Sequence, residues 1–340
     1  MRVLAGMGPR LPVAQVGTYA ARVERLGFDG LHIAEMIHDP FVASALALDA
    51  TTTLGVRTSM ALAFVRSPMA TAMSSWELAH LSSGRFDLGL GSQVRANIEE
   101  RYGMAFDQPV ARLRDHVLAV RACFEAFASG EPLDHRGPFH RLTRLQPDFR
   151  PAPLGDGVRR PEVWMGAVGS QMVRLAGELA DGVVTHPTNS HPADLAARLV
   201  PALEDGARRT DRPTPPLVVS PMVVTGADPT ALEASREAIR QRLAFLYSTP
   251  AYAPTLERLG LGAVGPSLRR LVRDEAWDRL VDHLPDQVLD QLVLVGTWSE
   301  LPSLVHDRYG RWADGIVLRP PEDPAADAAF AAVLARLRET

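Results

Sequence analysis

Short apolar runs alternate along this chain with longer stretches whose apolar positions recur every three or four residues. Residues 3–7 read as a buried strand and 13–26 as an amphipathic helix. The alternation continues to the far end. Further strands are expected at 31–34, 58–64, 86–90, 163–165, 182–185, 217–224 and 315–318, with Pro221 interrupting the 217–224 run. Helices are expected at 40–54, 68–81, 110–129, 171–180, 193–208, 230–247 and 325–338. The four apolar residues 292–295 fit either a strand or the end of a helix stopped by Gly296. Two stretches break the rhythm. Residues 130–161 are rich in Pro and Gly and read as a loop excursion with a short hairpin. Residues 248–290 read as an irregular helical insertion. Eight βα units in 340 residues predict one (β/α)8 TIM barrel over 1–340, with loop insertions at its C-terminal mouth. An open doubly wound sheet is the alternative. Its Gly-x-Gly-x-x-Gly fingerprint is missing after the first strand, where Gly6-Met7-Gly8-Pro9 stands instead.

The segment 82–93 is the densest in signal. Gly84 can end a helix in the left-handed conformation. Phe86 to Leu90 is a short apolar strand. Gly89, Gly91 and Ser92 then leave its C-terminal end with little bulk, so a flat ligand could approach the backbone.

In a barrel the residues just past each strand line one mouth, and polar groups concentrate there. Glu35, His38 and Asp39 follow the second strand. Arg66 follows the third, beside Ala63 and Phe64. Gly91, Ser92 and Gln93 follow the fourth, with Asn97 one turn on. Gly166, Ala167, Val168, Gly169 and Ser170 follow the fifth, and His186 the sixth. The 166–170 turn feeds a helix whose free amides suit an anion, unless Ser170 simply caps that helix. Arg174 either supports an anion there or faces solvent. His38 is a candidate acid or base because imidazole titrates near neutrality. Asp39 stands where it would cap the helix opened by Pro40. The Glu35/His38/Asp39 spacing is not that of a helical His-x-x-x-His pair, so no metal is expected. His32, alternating within its strand, is expected in the core.

Composition narrows the chemistry. All 36 basic residues are Arg, which excludes a Schiff-base lysine, a Walker-type lysine and a lysine general base. A net charge of -4 argues against nucleic acid and anionic membranes as partners. There is no apolar run of about 18 residues and no secretion signal, so a cytoplasmic protein is expected. Cys123 is the only cysteine and reads as a packed core thiol.

Several motifs together resemble the luciferase-like monooxygenase superfamily. They are Gly27-Phe28-Asp29-Gly30 with Glu35, Ala63-Phe64-x-Arg66-Ser67-Pro68, Ser83 to Gly91, and Trp164-x-Gly166-Ala167 leading to Leu175-Ala176-Gly177 and Asp181-Gly182. His38-Asp39-Pro40-Phe41 and Gly91-Ser92-Gln93-Val94 resemble the branch that uses the deazaflavin coenzyme F420. The resemblance implies a barrel with cofactor across its mouth and a non-prolyl cis peptide at or next to Ala63-Phe64. It also implies Glu35, Ser92, Gln93 and Asn97 near the ring or its side chain, the 166–170 turn at the phosphate, a helix end at 292–295, and a homodimer. Some relatives carry a His where Met36 stands and a Glu just past the Gly91 loop, where this chain has Gln93 and Val94. The expected activity is an F420-dependent oxidoreductase passing hydride between deazaflavin C5 and a small organic substrate. The candidate catalytic residues are Glu35, His38 and Gln93. A reduced-FMN monooxygenase and a non-catalytic flavin-binding barrel are the alternatives. Tyr247, Tyr252 and Trp277 are candidates for the substrate pocket.

Overall fold

The computed structural model describes residues 1–339. Eight parallel strands close into a barrel. They are β1 (Arg2–Gly6), β2 (Gly30–Ile33), β3 (Gly55–Thr58), β4 (Phe86–Gly91), β5 (Val163–Gly166), β6 (Gly182–Val184), β7 (Leu217–Val219) and β8 (Gly315–Leu318). Each pairs with its neighbour in sequence, and β8 closes on β1 from Arg2↔Gly315 to Ala5↔Leu318. The main surrounding helices are α1 (Val16–Leu26), α2 (Pro40–Asp49), α3 (Pro68–Ser82), α4 (Pro109–Ser129), α5 (Ser170–Leu179), α6 (Val200–Arg209), α7 (Pro229–Tyr247), α8 (Leu301–Tyr309) and α9 (Asp327–Glu339). Among the described residues no helix is long and apolar enough to cross a membrane.

A short device repeats at the foot of the barrel. Asp29, Asp181 and Asp314 each precede a glycine that opens a strand. Their Oδ2 atoms accept the amides of Val3 at 2.6 Å, Val163 at 2.8 Å and Leu217 at 2.8 Å. Each carboxylate thereby pins the start of the adjacent strand and helps set register. The glycine that follows clears room for an interior side chain. A Cβ at Gly182 would stand 2.4 Å from the Trp164 ring, and one at Gly30 would stand 3.0 Å from Leu4. The interior is plugged by Leu4, Trp164, Val184 and Val218. Buried Arg57 lies 3.4 Å from the centroid of Trp164 and pairs with Asp87 at 3.0 Å. His32 faces the same network, its Nε2 3.4 Å from Arg57. Burial, then the charges of Arg57 and Arg2, hold its imidazole far below the ordinary value, so it stays neutral. Its Nδ1 has no hydrogen-bond partner.

Four expectations are corrected. The 58–64 strand is broken: Gly55–Thr58 is followed by the two-residue continuation Ala61–Leu62 and a 3-10 turn at Ala63–Val65. The non-prolyl cis peptide is Ser59-Met60, in that break, and not at Ala63-Phe64. The 217–224 strand ends at Val219 before Pro221, and Val223–Gly226 leaves the barrel. It pairs in parallel with Leu294–Thr297, so 292–295 is divided: Leu292 ends a helix, Val293 caps it, and Leu294 and Val295 begin a strand. The preceding helix, Asp286–Leu292, stops before it. The 130–161 excursion does contain a hairpin, His135–Arg136 against Arg141–Leu142. The 248–290 insertion is helical and builds a second core around Leu256, Leu268, Leu280 and Leu289 against α7.

The break in β3 is a one-residue bulge. Arg57 pairs with Asp87, but Ala61 pairs with Leu90, so four steps on one strand meet three on the other. Thr58 Oγ1 mends the ladder there. It accepts the Gly89 amide and donates to the Gly89 carbonyl, both at 2.8 Å. A Cβ on Gly89 would stand 2.0 Å from the Thr58 carbonyl oxygen. Gly89→Ala is therefore expected to cost about 3 kcal/mol or more in urea unfolding, because neither backbone can yield. Gly8→Ala, whose Cβ meets nothing within 4 Å, serves as the control and should stay within about 0.5 kcal/mol.

Candidate functional site

The mouth of the barrel is built around the β3 bulge. Met60 leaves the bulge toward the barrel axis and packs with the interior residues. Its side chain fills the space that three glycines vacate. A Cβ at Gly166 would stand 2.7 Å from Met60 Cγ, and one at Gly91 would stand 3.2 Å from Met60 Cβ. Gly89 and Gly91 thus make room first for the protein's own bulge, and a ligand would meet that bulge. Met60 is the residue sequence reasoning missed. Its signal was the Gly89-x-Gly91 spacing together with Gly166, read as space for a ligand alone.

Glu35 braces the bulge from β2. Its amide donates to the Met60 carbonyl at 3.3 Å. Its Oε2 accepts the Leu62 amide at 2.8 Å and Arg66 Nη1 at 2.6 Å. Arg66 also reaches Asp39 at 2.6 Å and lies over Phe41. Asp39 caps α2, accepting from the amides of Phe41 and Val42 at 2.8 and 3.1 Å. Burial alone would raise the Asp39 carboxyl, but Arg66 and the helix amides hold it below its usual range. The expected catalytic Glu35 is thus occupied as a brace, since both its oxygens face Arg66. Ala63 and Phe64 are buried in the turn behind it, with Phe64 edge-on to Phe106 at 5.7 Å.

The other expected site residues fall into two groups. Ser92 and Gln93 do reach the mouth, but Gln93 takes a left-handed φ of 59° and turns its Oε1 to the Val94 amide at 3.0 Å. His38 donates from Nε2 to the Leu11 carbonyl at 2.8 Å and ties two mouth loops together. Asn97 opens a single π-turn, Asn97–Arg101. Met36 is exposed and supplies only its carbonyl, to Arg101. The 166–170 turn is open. Gly169, not Ser170, is the N-cap of α5, and no side chain caps the helix. Its first amides therefore face outward without a protein acceptor. The turn is held from behind, with Asn189 Nδ2 donating to Ala167 O at 2.8 Å and Arg198 bonded to Val168 O. Arg174 pairs with Asp205 at 2.6 Å and does not serve the turn.

His186 is fixed by its own loop. Its Nδ1 accepts the Thr188 amide at 3.3 Å, and its ring stacks on Tyr252 at 4.5 Å. The insertion is clipped to the same loop by Thr255 Oγ1, which donates to Thr188 O at 2.6 Å. Burial, helped by Arg242, pulls the imidazole down to about 4. The ring is neutral near pH 7, and because Nδ1 accepts, the proton sits on Nε2. Of the other expected pocket residues, Tyr247 is buried in the insertion core and Trp277 is half exposed beside Phe245.

The chain matches the family described as luciferase-like monooxygenase over residues 2–336. It belongs to that family. An uncharacterised protein of Mycobacterium tuberculosis is 38% identical over 309 residues, covering 90% of this chain and 89% of that protein. The 5,10-methylenetetrahydromethanopterin reductase of Methanolobus tindarius is 26% identical and covers 95% of each chain. Among solved structures, the coenzyme F420 dependent tetrahydromethanopterin reductase of Methanopyrus kandleri superposes with a TM-score of 0.82 at 17% identity, covering 99% of this chain and 98% of that one. The oxygenating constituent of 3,6-diketocamphane monooxygenase from Pseudomonas putida, a structure in complex with FMN, gives 0.67 at 16%, covering 99% and 97%. At such identities the structures share the fold.

Several imidazoles of this chain are depressed by burial, His186 and His191 to about 4 and His116 to about 3. The unfolded chain takes up these protons near 6.5, so between 6.5 and about 4 it binds more protons than the native state. That stability is fully present above about pH 6.5 and is lost as pH falls toward 4. Urea midpoints should drop between about pH 7 and about pH 5. An unchanged midpoint across that window would contradict the burial of these rings.

Proposed function

We propose that this chain is a cytoplasmic F420-dependent oxidoreductase that works on a small organic molecule at the barrel mouth. The observation that carries the reading is the pairing of a glycine-seated bulge with an uncapped helix. The bulge sets the partly exposed Met60 side chain among Gly89, Gly91 and Gly166, and the α5 N-terminus offers amides suited to a phosphate. The similarity to a 5,10-methylenetetrahydromethanopterin reductase along nearly the whole chain supports the deazaflavin over FMN. When bound, the deazaflavin supplies hydride exchange at its C5.

The protein's own residues position and enclose. Met60 supports the ring face. Ser92, Gln93 and Asn97 line the neighbouring wall. Gly166 to Ser170 receive the phosphate, with Arg198 and Asn189 holding that turn in shape. Glu35 and Arg66 keep the bulge in place, so they act through it. The insertion excludes water over the β6 side. His186 holds a proton at Nε2 within the mouth and is the donor best placed to face a substrate. A homodimer completes the reading. α2 is apolar all round and exposes Val42 and Leu46 one turn apart, with Met73 exposed on α3.

Fluorescence titration of apoprotein tests the cofactor. Tighter binding of F420 than of FMN is expected; tight FMN binding without deazaflavin binding would overturn the reading in favour of a flavin monooxygenase. A second test isolates the anion turn. Gly169→Asp places a good N-cap at a position with open space around its Cβ. It should hold or raise the melting temperature while weakening cofactor binding about tenfold, by setting a carboxylate against the phosphate. Unchanged affinity would remove the phosphate from this turn.

A further inference from the structure

The hairpin of the 130–161 excursion, His135–Arg136 against Arg141–Leu142, closes around one carboxylate of α4. Asp115 is 3% exposed. It accepts from His135 Nε2 at 2.8 Å and from the amides of Phe139 and His140 at 2.9 and 2.7 Å. The turn fits so closely that a Cβ at Gly137 would stand 1.6 Å from Asp115 Oδ1. Two more imidazoles stand beside this anchor. His116, the next residue of α4, is buried, and its ring meets that of His140 edge-on with 5.5 Å between centres. Both Nε2 atoms are enclosed without a hydrogen-bond partner. The hairpin tip also reaches toward the mouth. The Arg112 guanidinium carbon lies 4.9 Å from the centre of the Phe139 ring and 5.9 Å from that of Phe64, in the turn beyond the bulge.

The charges that face this pair come from both elements. α4 supplies Asp115 and Arg112, the latter also paired with Asp107, and the hairpin supplies His135. Arg114 turns instead to Glu178 on α5, Arg136 turns to Asp134, and Arg141 is exposed. Burial is the main influence on both rings. It is joined by the mutual repulsion of the pair at His116, and by Arg112 and His135 at His140, with Asp115 pulling the other way at each. The docked rings are thereby held neutral, whereas rings set free in water take up protons near 6.5. Docking is therefore fully favoured above about pH 6.5 and weakens as pH falls. His135 works against release, because a proton on it strengthens its bond to Asp115. It is one ring against two. We propose that the 135–142 hairpin is an acid-released latch. With His116 and His140 neutral it closes on Asp115; with them charged it leaves α4 while the barrel stays folded. Release takes Phe139 from the guanidinium that also lies over Phe64, so acid acts on the bulge turn from outside the mouth. The latch needs no cofactor and stands apart from the proposed reaction.

Hydrogen exchange read by mass spectrometry on the whole chain, corrected for the intrinsic pH dependence of exchange, tests it. The amides of Phe139 and His140, which donate to Asp115, are the direct reporters, and β4 is the reference. Each ring that must charge on release raises the open fraction about tenfold between about pH 7.5 and about pH 5.5. Wild type should therefore lose about tenfold to about a hundredfold of its protection in 135–142 over that interval, and in acid the hairpin should exchange at least about tenfold faster than β4. His116→Leu with His140→Leu removes both titrating rings at Nε2 atoms that have no partner to lose. This double variant should keep the hairpin's protection within about threefold across the same interval. His140→Leu alone, at a half-buried position, should remove about tenfold of the drop and serves if the double variant does not fold. Unchanged hairpin protection in wild type overturns the proposal. So does a loss shared equally by β4, which would make the release global unfolding, and so does a full drop that persists in the leucine variants.

Discussion

The packing of Met60 into space left by Gly89, Gly91 and Gly166 governs the rest of this structure. A parallel strand with one extra residue must put that residue somewhere. Here it is pushed inward, and only glycines on the facing strands allow it. Thr58 replaces the lost ladder bonds with its hydroxyl, and Glu35 ties down the Leu62 amide beyond the break. The strand ends at the mouth are placed relative to this bulge: Ser92 and Gln93 beyond Gly91, and the α5 turn beyond Gly166.

A chain without lysine meets its charge needs with guanidinium groups, and this shapes the chemistry. Arg66 locks Glu35 and Asp39, and Arg198 and Arg258 lock the fully buried Asp194. These carboxylates near the mouth are thus braces.

The barrel was legible because apolar runs and helical periods alternate eight times, and the structure closes as that count requires. The Asp-Gly pairs at 29–30, 181–182 and 314–315 were not read as a repeat, and their role appears only once the amides of Val3, Val163 and Leu217 are seen beside them. The third strand was misjudged because the apolar run from Met60 to Phe64 carries no mark of a bulge. The 292–295 segment was misjudged because its partner, Val223–Gly226, lies about seventy residues earlier and no local period reveals such pairing. Arg242 was invisible for the opposite reason. Within α7 it looks like its neighbours Arg236 and Arg240, and only the fold shows that those two find carboxylates and it does not.

The central claim is that glycine at these positions exists to admit Met60. A double-mutant cycle between Met60→Ala and Gly166→Ala, read by urea unfolding, tests it most directly. Gly166→Ala alone should cost about 1–3 kcal/mol, because its Cβ meets Met60 Cγ at 2.7 Å. Adding Met60→Ala should return most of that loss, a coupling of about 1 kcal/mol or more. Strictly additive losses would mean that the glycine answers to something other than the bulge, and would contradict the account.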